Sequence, residues 1–174
     1  MIQYLAQLDA AVFTAVNTFE NSVLTFLGNT AGTEIGLFVI IALLALVFFW
    51  KHKKELALFF VSYATVAAVI TAVKFLFGRA RPIETLPIMN KLREYPFSPS
   101  FPSFVAGSVG VLAYLLAARF PRYRVVIFFL GFFASFIRVY MGAHYPSDVI
   151  VGYLLGFFLP LAVMKLDFWR KVKT

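Results

Sequence analysis

Five apolar segments, at about 34–50, 56–77, 103–119, 124–141 and 147–165, dominate the sequence, and polar breaks separate them. Crossing the roughly 30 Å hydrocarbon core of a bilayer takes about 20 residues of helix, so each segment has the length of a membrane span. The breaks are "KHKK" (51–54), a long polar stretch at 78–102, "RFPRYR" (119–124) and the short turn "GAHYP" (142–146). Composition agrees: 61% of the residues are hydrophobic and 14% charged, against about 45–50% and 25% in soluble domains. The fold class is therefore all-α, an integral membrane bundle of about five transmembrane helices in a single domain, 1–174.

Residues 1–30 read differently. Asp9, Asn17, Glu20 and Asn29 punctuate them, while Leu5, Leu8, Val12, Phe13 and Val16 recur at helical spacing, a pattern that favours interfacial amphipathic helices over a sixth span. The start, "MIQYLAQLDAAVF", lacks the basic region of a cleavable signal peptide. There is no Cys, which excludes a disulfide framework and thiolate chemistry.

The net charge of +8 does not form a stripe on a soluble face, so nucleic acid is not an expected partner; topology and anionic lipid are. Lys51, Lys53, Lys54, Arg119, Arg122, Arg124, Lys165, Arg170, Lys171 and Lys173 fall on one side of a five-span arrangement. The positive-inside rule makes that side, with the C-terminus, cytoplasmic. Lys74, Arg79, Arg81, Lys91, Arg93 and Arg138 fall on the other, and Lys74, Arg81 and Arg138 lie at or just inside span ends. Charges there are costly to bury and are functional candidates. Trp50 and Trp169 sit at cytoplasmic span ends, as interfacial anchors do.

The outer 78–102 loop is bracketed by two chemical clusters. In "KFLFGRARP", Lys74 and Arg81 are seven apart, so a helix persisting through both would project them from one face, about 10.5 Å apart along its axis. Snorkelling basic residues would look the same. In "IRVYMGAHYPSD", His144 and Asp148 are four apart, close enough for the carboxylate to accept from Nδ1–H and leave Nε2 free as nucleophile or base. The alternative is an interfacial His beside a helix-capping Asp. Three cations and a His–Asp pair on one face suit an anionic ligand whose phosphorus the His attacks. A metal site is the weaker reading: the other His, His52, is on the opposite side and no carboxylate cluster accompanies His144.

Lys74-x6-Arg81-Pro82, then Pro102-Ser103, then Arg138-x5-His144-x3-Asp148 resembles the three-part signature of the phosphatidic acid phosphatase type 2 family. The run "RVYMGAHYPSDVIVGY" is similar to its third motif, and the resemblance covers roughly 70–165. It implies a helical-bundle lipid phosphatase or phosphotransferase that needs no metal or other cofactor. His144 would attack phosphorus to give a phosphohistidine, Asp148 would orient it, and Lys74, Arg81, Ser103 and Arg138 would hold the phosphate oxygens. The family's second motif reads Pro-Ser-Gly-His, and here Phe104 and Val105 replace the Gly and the His. The Gly allows close approach of backbone to phosphate, and a Phe narrows the pocket. The absent His would be the general acid toward the leaving group, a loss of about 10²–10⁴-fold. Activity that survives should therefore favour lipid diphosphates, whose leaving group is already a stable anion, over lipid monophosphates. The competing expectation is an impaired family member that binds lipid phosphate without turnover. Transport is disfavoured because polar residues gather at one face, and Ser62, Thr65, Thr71 and Ser108 read as helix-packing residues. In "FFLGFF" (128–133), Gly131 is expected to permit close helix approach.

Overall fold

The computed structural model describes residues 2–30, 34–87 and 98–165; Lys91, Arg93, Glu94, Trp169, Arg170, Lys171 and Lys173 lie outside them. The described residues form eight α-helices: α1 (Ile2–Asn17), α2 (Ser22–Thr30), α3 (Glu34–Phe49), α4 (Lys53–Phe77), α5 (Pro82–Thr85), α6 (Phe104–Arg119), α7 (Arg124–Tyr140) and α8 (Pro146–Met164). A 3₁₀ turn at Pro121–Tyr123 joins α6 to α7. Helices α3, α4, α6, α7 and α8 match the five apolar segments to within a few residues. Spans Lys53–Thr85, Pro121–Tyr140 and Pro146–Met164 are long and apolar enough to cross a membrane, while α3 and α6 are shorter apolar helices. The protein is an integral membrane helical bundle.

Helix α6 is the hub, packed against α3, α4, α7 and α8. One apolar core (Ile41, Phe49, Phe59, Val66, Ile70, Val111, Leu115) lies between α3, α4 and α6. A second (Phe13, Ala106, Ala113, Val139, Tyr145, Val149, Tyr153) joins α1 and α7 to α6 and α8. Where hydrophobicity does not drive association, helices approach through small residues. Here Gly152 and Gly156 of α8 face α6 so closely that a Cβ on Gly156 would lie 1.9 Å from the Gly107 carbonyl oxygen, and one on Gly152 would lie 2.3 Å from that of Ser103. Gly131 behaves as the sequence suggested, since a Cβ there would meet the Tyr153 hydroxyl at 2.8 Å and Ala113 at 3.2 Å. Around it Phe129, Leu130 and Phe133 face outward.

Two glycines end the helices that carry the basic residues. Gly78 takes a left-handed conformation (φ 55°) and donates to the Lys74 carbonyl at 2.9 Å, so α4 stops four residues before Pro82. Lys74 and Arg81 therefore do not share one helix face, and Arg81 instead precedes the short α5. Gly142 (φ 75°) closes α7 with a Schellman pair, Ala143 N–H to the Arg138 carbonyl and Gly142 N–H to that of Val139, both 3.0 Å. His144 follows immediately.

Candidate active site

The ends of α4 and α7, the starts of α6 and α8 and the 98–103 segment converge at one end of the bundle. Arg81, Arg138, His144, Asp148, Ser100 and Ser103 are all essentially without exposure there, and Lys74 is 7% exposed. Arg81 Nη1 donates to the Ala143 carbonyl at 2.8 Å and lies 3.4 Å from His144 Nε2. Its Nε and Nη2 donate to the Ser98 carbonyl (2.8 Å) and hydroxyl (3.1 Å). The Lys74 ammonium donates to the Pro99 carbonyl, so both cations grip the segment leading to Ser100. Arg138 lies in the last turn of α7, six residues before His144 and near enough to act on it electrostatically.

His144 and Asp148 come together, but not by the direct hydrogen bond their spacing suggested. Nδ1 is 3.6 Å from Asp148 Oδ2, beyond hydrogen-bond range. Ser100 stands between them: its hydroxyl donates to Asp148 Oδ2 and lies 3.4 Å from His144 Nδ1. An acceptor at Nδ1 and an Arg donor at Nε2 select the same tautomer, with the proton on Nδ1 and the lone pair on Nε2. Burial, reinforced by Arg81 and Arg138 against the opposing pull of Asp148, pushes the His144 imidazole down to about 3. It is thus neutral at physiological pH, which a nucleophile requires.

Asp148 is also the capping residue of the alternative reading: Oδ2 accepts from Tyr145 N–H at 2.9 Å at the start of α8. Its Oδ1 accepts from Arg79 Nη1 at 2.7 Å. Arg79, counted among the outer cations but given no role from sequence, stacks 3.9 Å over the Tyr145 ring and also pairs with Asp9 of α1 at 2.6 Å. Ser100, Arg79 and Asp9 were missed. Ser100 carries no spacing signal, and Asp9 looked like the polar punctuation of an amphipathic helix.

The second-motif positions are occupied as follows. Ser103 caps α6, its hydroxyl accepting from Ala106 N–H at 3.4 Å, and its own N–H donates to the Asp148 carbonyl at 2.9 Å. Phe104 lies edge-on to Tyr63 in the middle of α4 (5.5 Å between centroids), so its ring fills the α4–α6 seam. Val105 is buried in the first turn of α6. His52 cannot supply the absent imidazole: its Nε2 is 2.7 Å from Arg119, at the opposite end of α6, about 24 Å away at 1.5 Å per residue. Glu84 is exposed and accepts from Arg81 N–H at the start of α5. Thr65 and Ser108 donate to the carbonyls of Val61 and Phe104 within their own helices.

A family model described as the PAP2 superfamily matches residues 55–171. Over 138 residues the chain is 33% identical to the bacitracin transport permease protein BcrC of Bacillus licheniformis, covering 75% of this chain and 64% of that protein. It is 27% identical over 138 residues to an undecaprenyl-diphosphatase of Sulfolobus acidocaldarius, covering 78% and 67%. The chain thus spans just under two thirds of the first relative's length. The fold matches the crystal structure of a transmembrane PAP2-type phosphatidylglycerolphosphate phosphatase from Bacillus subtilis with TM-score 0.68 and 22% identity, covering 95% of this chain and 87% of that one. With the matched family region running from the start of α4 to beyond α8, the chain belongs to the PAP2 superfamily.

Proposed function

We propose that this protein is a metal-independent lipid phosphatase acting through a phosphohistidine at the outer membrane face, with its C-terminus cytoplasmic. The observation that carries this reading is the placement of His144: fully buried, with Nε2 beside Arg81 and Nδ1 facing Ser100 and Asp148. Nε2 attacks phosphorus, the bond from phosphorus to the leaving oxygen breaks, and that oxygen keeps the electron pair. Water then attacks the phosphohistidine, the P–N bond breaks toward the imidazole, and inorganic phosphate leaves. Arg81 and Arg138, with Lys74 at the rim, neutralise the phosphoryl oxygens as charge develops on them. Asp148 and Ser100 hold the Nδ1 proton. Ser103 would reach a phosphate oxygen by releasing Ala106, whose 3.4 Å bond to it is at the weak end of the range.

With Val105 where a proton donor would stand, the leaving group departs as an anion. A lipid diphosphate, such as a polyprenyl diphosphate, meets that condition and a lipid monophosphate does not. The similarity to a protein named undecaprenyl-diphosphatase supports this choice. Buried Val105 also supports the second reading, a protein that binds lipid phosphate without turnover. Phosphate release from matched monophosphate and diphosphate lipids, with His144→Ala as control, separates them. Turnover of the diphosphate that His144→Ala abolishes supports the enzyme, and equal or faster monophosphate turnover refutes the preference. Binding with no release from any lipid selects the second reading.

A further inference from the structure

Helix α1 lies outside the region the family model matches, yet it touches the site. Its outward positions include Leu5, Leu8 and Val12, which are 56%, 50% and 38% exposed, whereas Asp9 is 9% exposed and Phe13 and Asn17 are fully buried. Asp9, Phe13 and Asn17 are spaced i, i+4, i+8 and form one face. In lipid this is the stable arrangement for Asp9 and Asn17, which turn toward protein partners.

The partners of that face bracket the His144 turn. Asn17 Nδ2 donates to the Tyr140 carbonyl at 2.8 Å, at the end of α7. The Phe13 ring lies 5.8 Å from that of Tyr145. Asp9 Oδ1 accepts from the Ser147 N–H at 2.9 Å, and Oδ2 accepts from the Ser147 hydroxyl at 2.5 Å and from Arg79 Nη2 at 2.6 Å. Asp9 is thus a carboxylate cap supplied from another helix to the first turn of α8, where backbone N–H groups lack intrahelical partners. It also shares Arg79 with Asp148.

We propose that Asp9 is a positioning residue of the active site, acting through Arg79 and Ser147 to fix Asp148, and through it His144. Without Asp9, Arg79 is balanced by Asp148 alone and draws that carboxylate away from the Ser100–His144 side, while α8 loses its cap from α1. The effect falls on orientation of the nucleophile rather than on substrate binding, so it appears in kcat and not in KM. The inference rests on the phosphatase reading, and its test is chosen to stand apart from it.

The full chain in detergent is compared as wild type, Asp9→Asn, Asp9→Glu, Arg79→Gln and the Asp9→Asn/Arg79→Gln double variant, with exposed Thr14→Ala of the same helix as control. Asp9→Asn should lower kcat for a diphosphate lipid about ten-fold, within the roughly 2- to 150-fold span of coupling between contacting groups, with KM nearly unchanged. Asp9→Glu should recover part of the loss, and Asp9→Asn should cost less in the Arg79→Gln background, where only the Ser147 contacts remain to be lost. The second readout is nitrogen NMR of histidine-labelled protein, where the chain's two histidines are assigned with His52→Gln. Asp9→Asn should shift the His144 resonances away from the Nδ1–H tautomer. If wild type releases no phosphate, the functional reading fails and the NMR arm still decides this one. Unchanged His144 resonances, or equal losses with and without Arg79, overturn it. Should Asp9→Asn not fold, wild-type resonances and kcat in Asp9→Glu would overturn it, because the longer side chain cannot keep all three Asp9 bonds.

Discussion

Replacing Ser100 with Ala removes one hydroxyl and separates two accounts of how His144 is oriented. The gap it leaves, 3.6 Å between Nδ1 and Asp148 Oδ2, would have to close by about 0.5 Å to make a normal hydrogen bond. Asp148 is poorly placed to close it, since Oδ1 is held by Arg79 at 2.7 Å and Oδ2 by the Tyr145 N–H at 2.9 Å. The imidazole is constrained too, by Arg81 at Nε2 and by the Schellman turn that precedes it. In stability the variant loses a donor to a buried carboxylate, about 1.5–3 kcal/mol. In catalysis, losing the partner that fixes a working imidazole should cost about 10- to 100-fold in kcat, the range known for such orienting partners at metal-bound His. Phosphate release over a range of diphosphate-lipid concentrations separates kcat from KM, and thermal unfolding in the same detergent reports stability. A Ser100→Ala protein with wild-type kcat would show that His144 and Asp148 pair directly once the hydroxyl is gone, refuting the relay.

Protonation of His144 makes the folded state pH-sensitive in a defined direction. Its folded value of about 3 lies below the ordinary 6.5, so the unfolded chain binds the extra proton between those limits. The stability carried by the neutral ring is complete above about pH 6.5 and is lost as pH falls toward 3, on the order of a few kcal/mol. Unfolding midpoints across that window should fall more steeply for wild type than for His144→Gln, and parallel curves would refute the assignment. At the α6–α8 seam, Gly156→Ala places a Cβ 1.9 Å from the Gly107 carbonyl oxygen and must force the helices apart. It should destabilise by about 1–3 kcal/mol or more, whereas an unchanged unfolding midpoint would show the seam to be loose.

The helices were legible because 20-residue apolar runs leave the backbone only one way to satisfy its hydrogen bonds in lipid. Their basic ends were legible because charge at a span end is costly. What escaped was whatever depends on contact between distant segments. Ser100 reaches Asp148 only because Lys74 and Arg81 fix the 98–100 segment, and no periodicity encodes that. Asp9 and Asn17 were legible only as polar punctuation of an amphipathic helix; that they turn toward α7 and α8 while Leu5 and Leu8 turn outward depends on the packed bundle. The Gly152–Gly156 spacing was present in the sequence, but its partner, Gly107 of α6, became visible only in the packed bundle. Lys74 and Arg81 would have shared a helix face only if α4 persisted past Gly78, and the left-handed cap there was not anticipated.

The two departures from the family's second motif are physically separable, which gives the absent proton donor a clean test. Phe104 belongs to the α4–α6 seam through Tyr63, and changing it to Gly removes a partly buried aromatic contact and a helix former near the start of α6. Val105 occupies the position resembling that of the donor and is buried in the first turn of α6. Val105→His alone should therefore raise turnover of a lipid monophosphate by about 10²-fold or more, the lower bound for a positioned general acid, and change diphosphate turnover far less. Adding Phe104→Gly should lower the unfolding midpoint without a comparable further gain in rate. If Val105→His raises both substrates equally, proton donation to the leaving group is not what position 105 lacks. If only the double variant gains, Phe104 obstructs the pocket despite its contact with Tyr63. A selective gain in the single variant would mean that the cations, the relay and the nucleophile were already in place, and that the first turn of α6 sets which leaving groups the site can release.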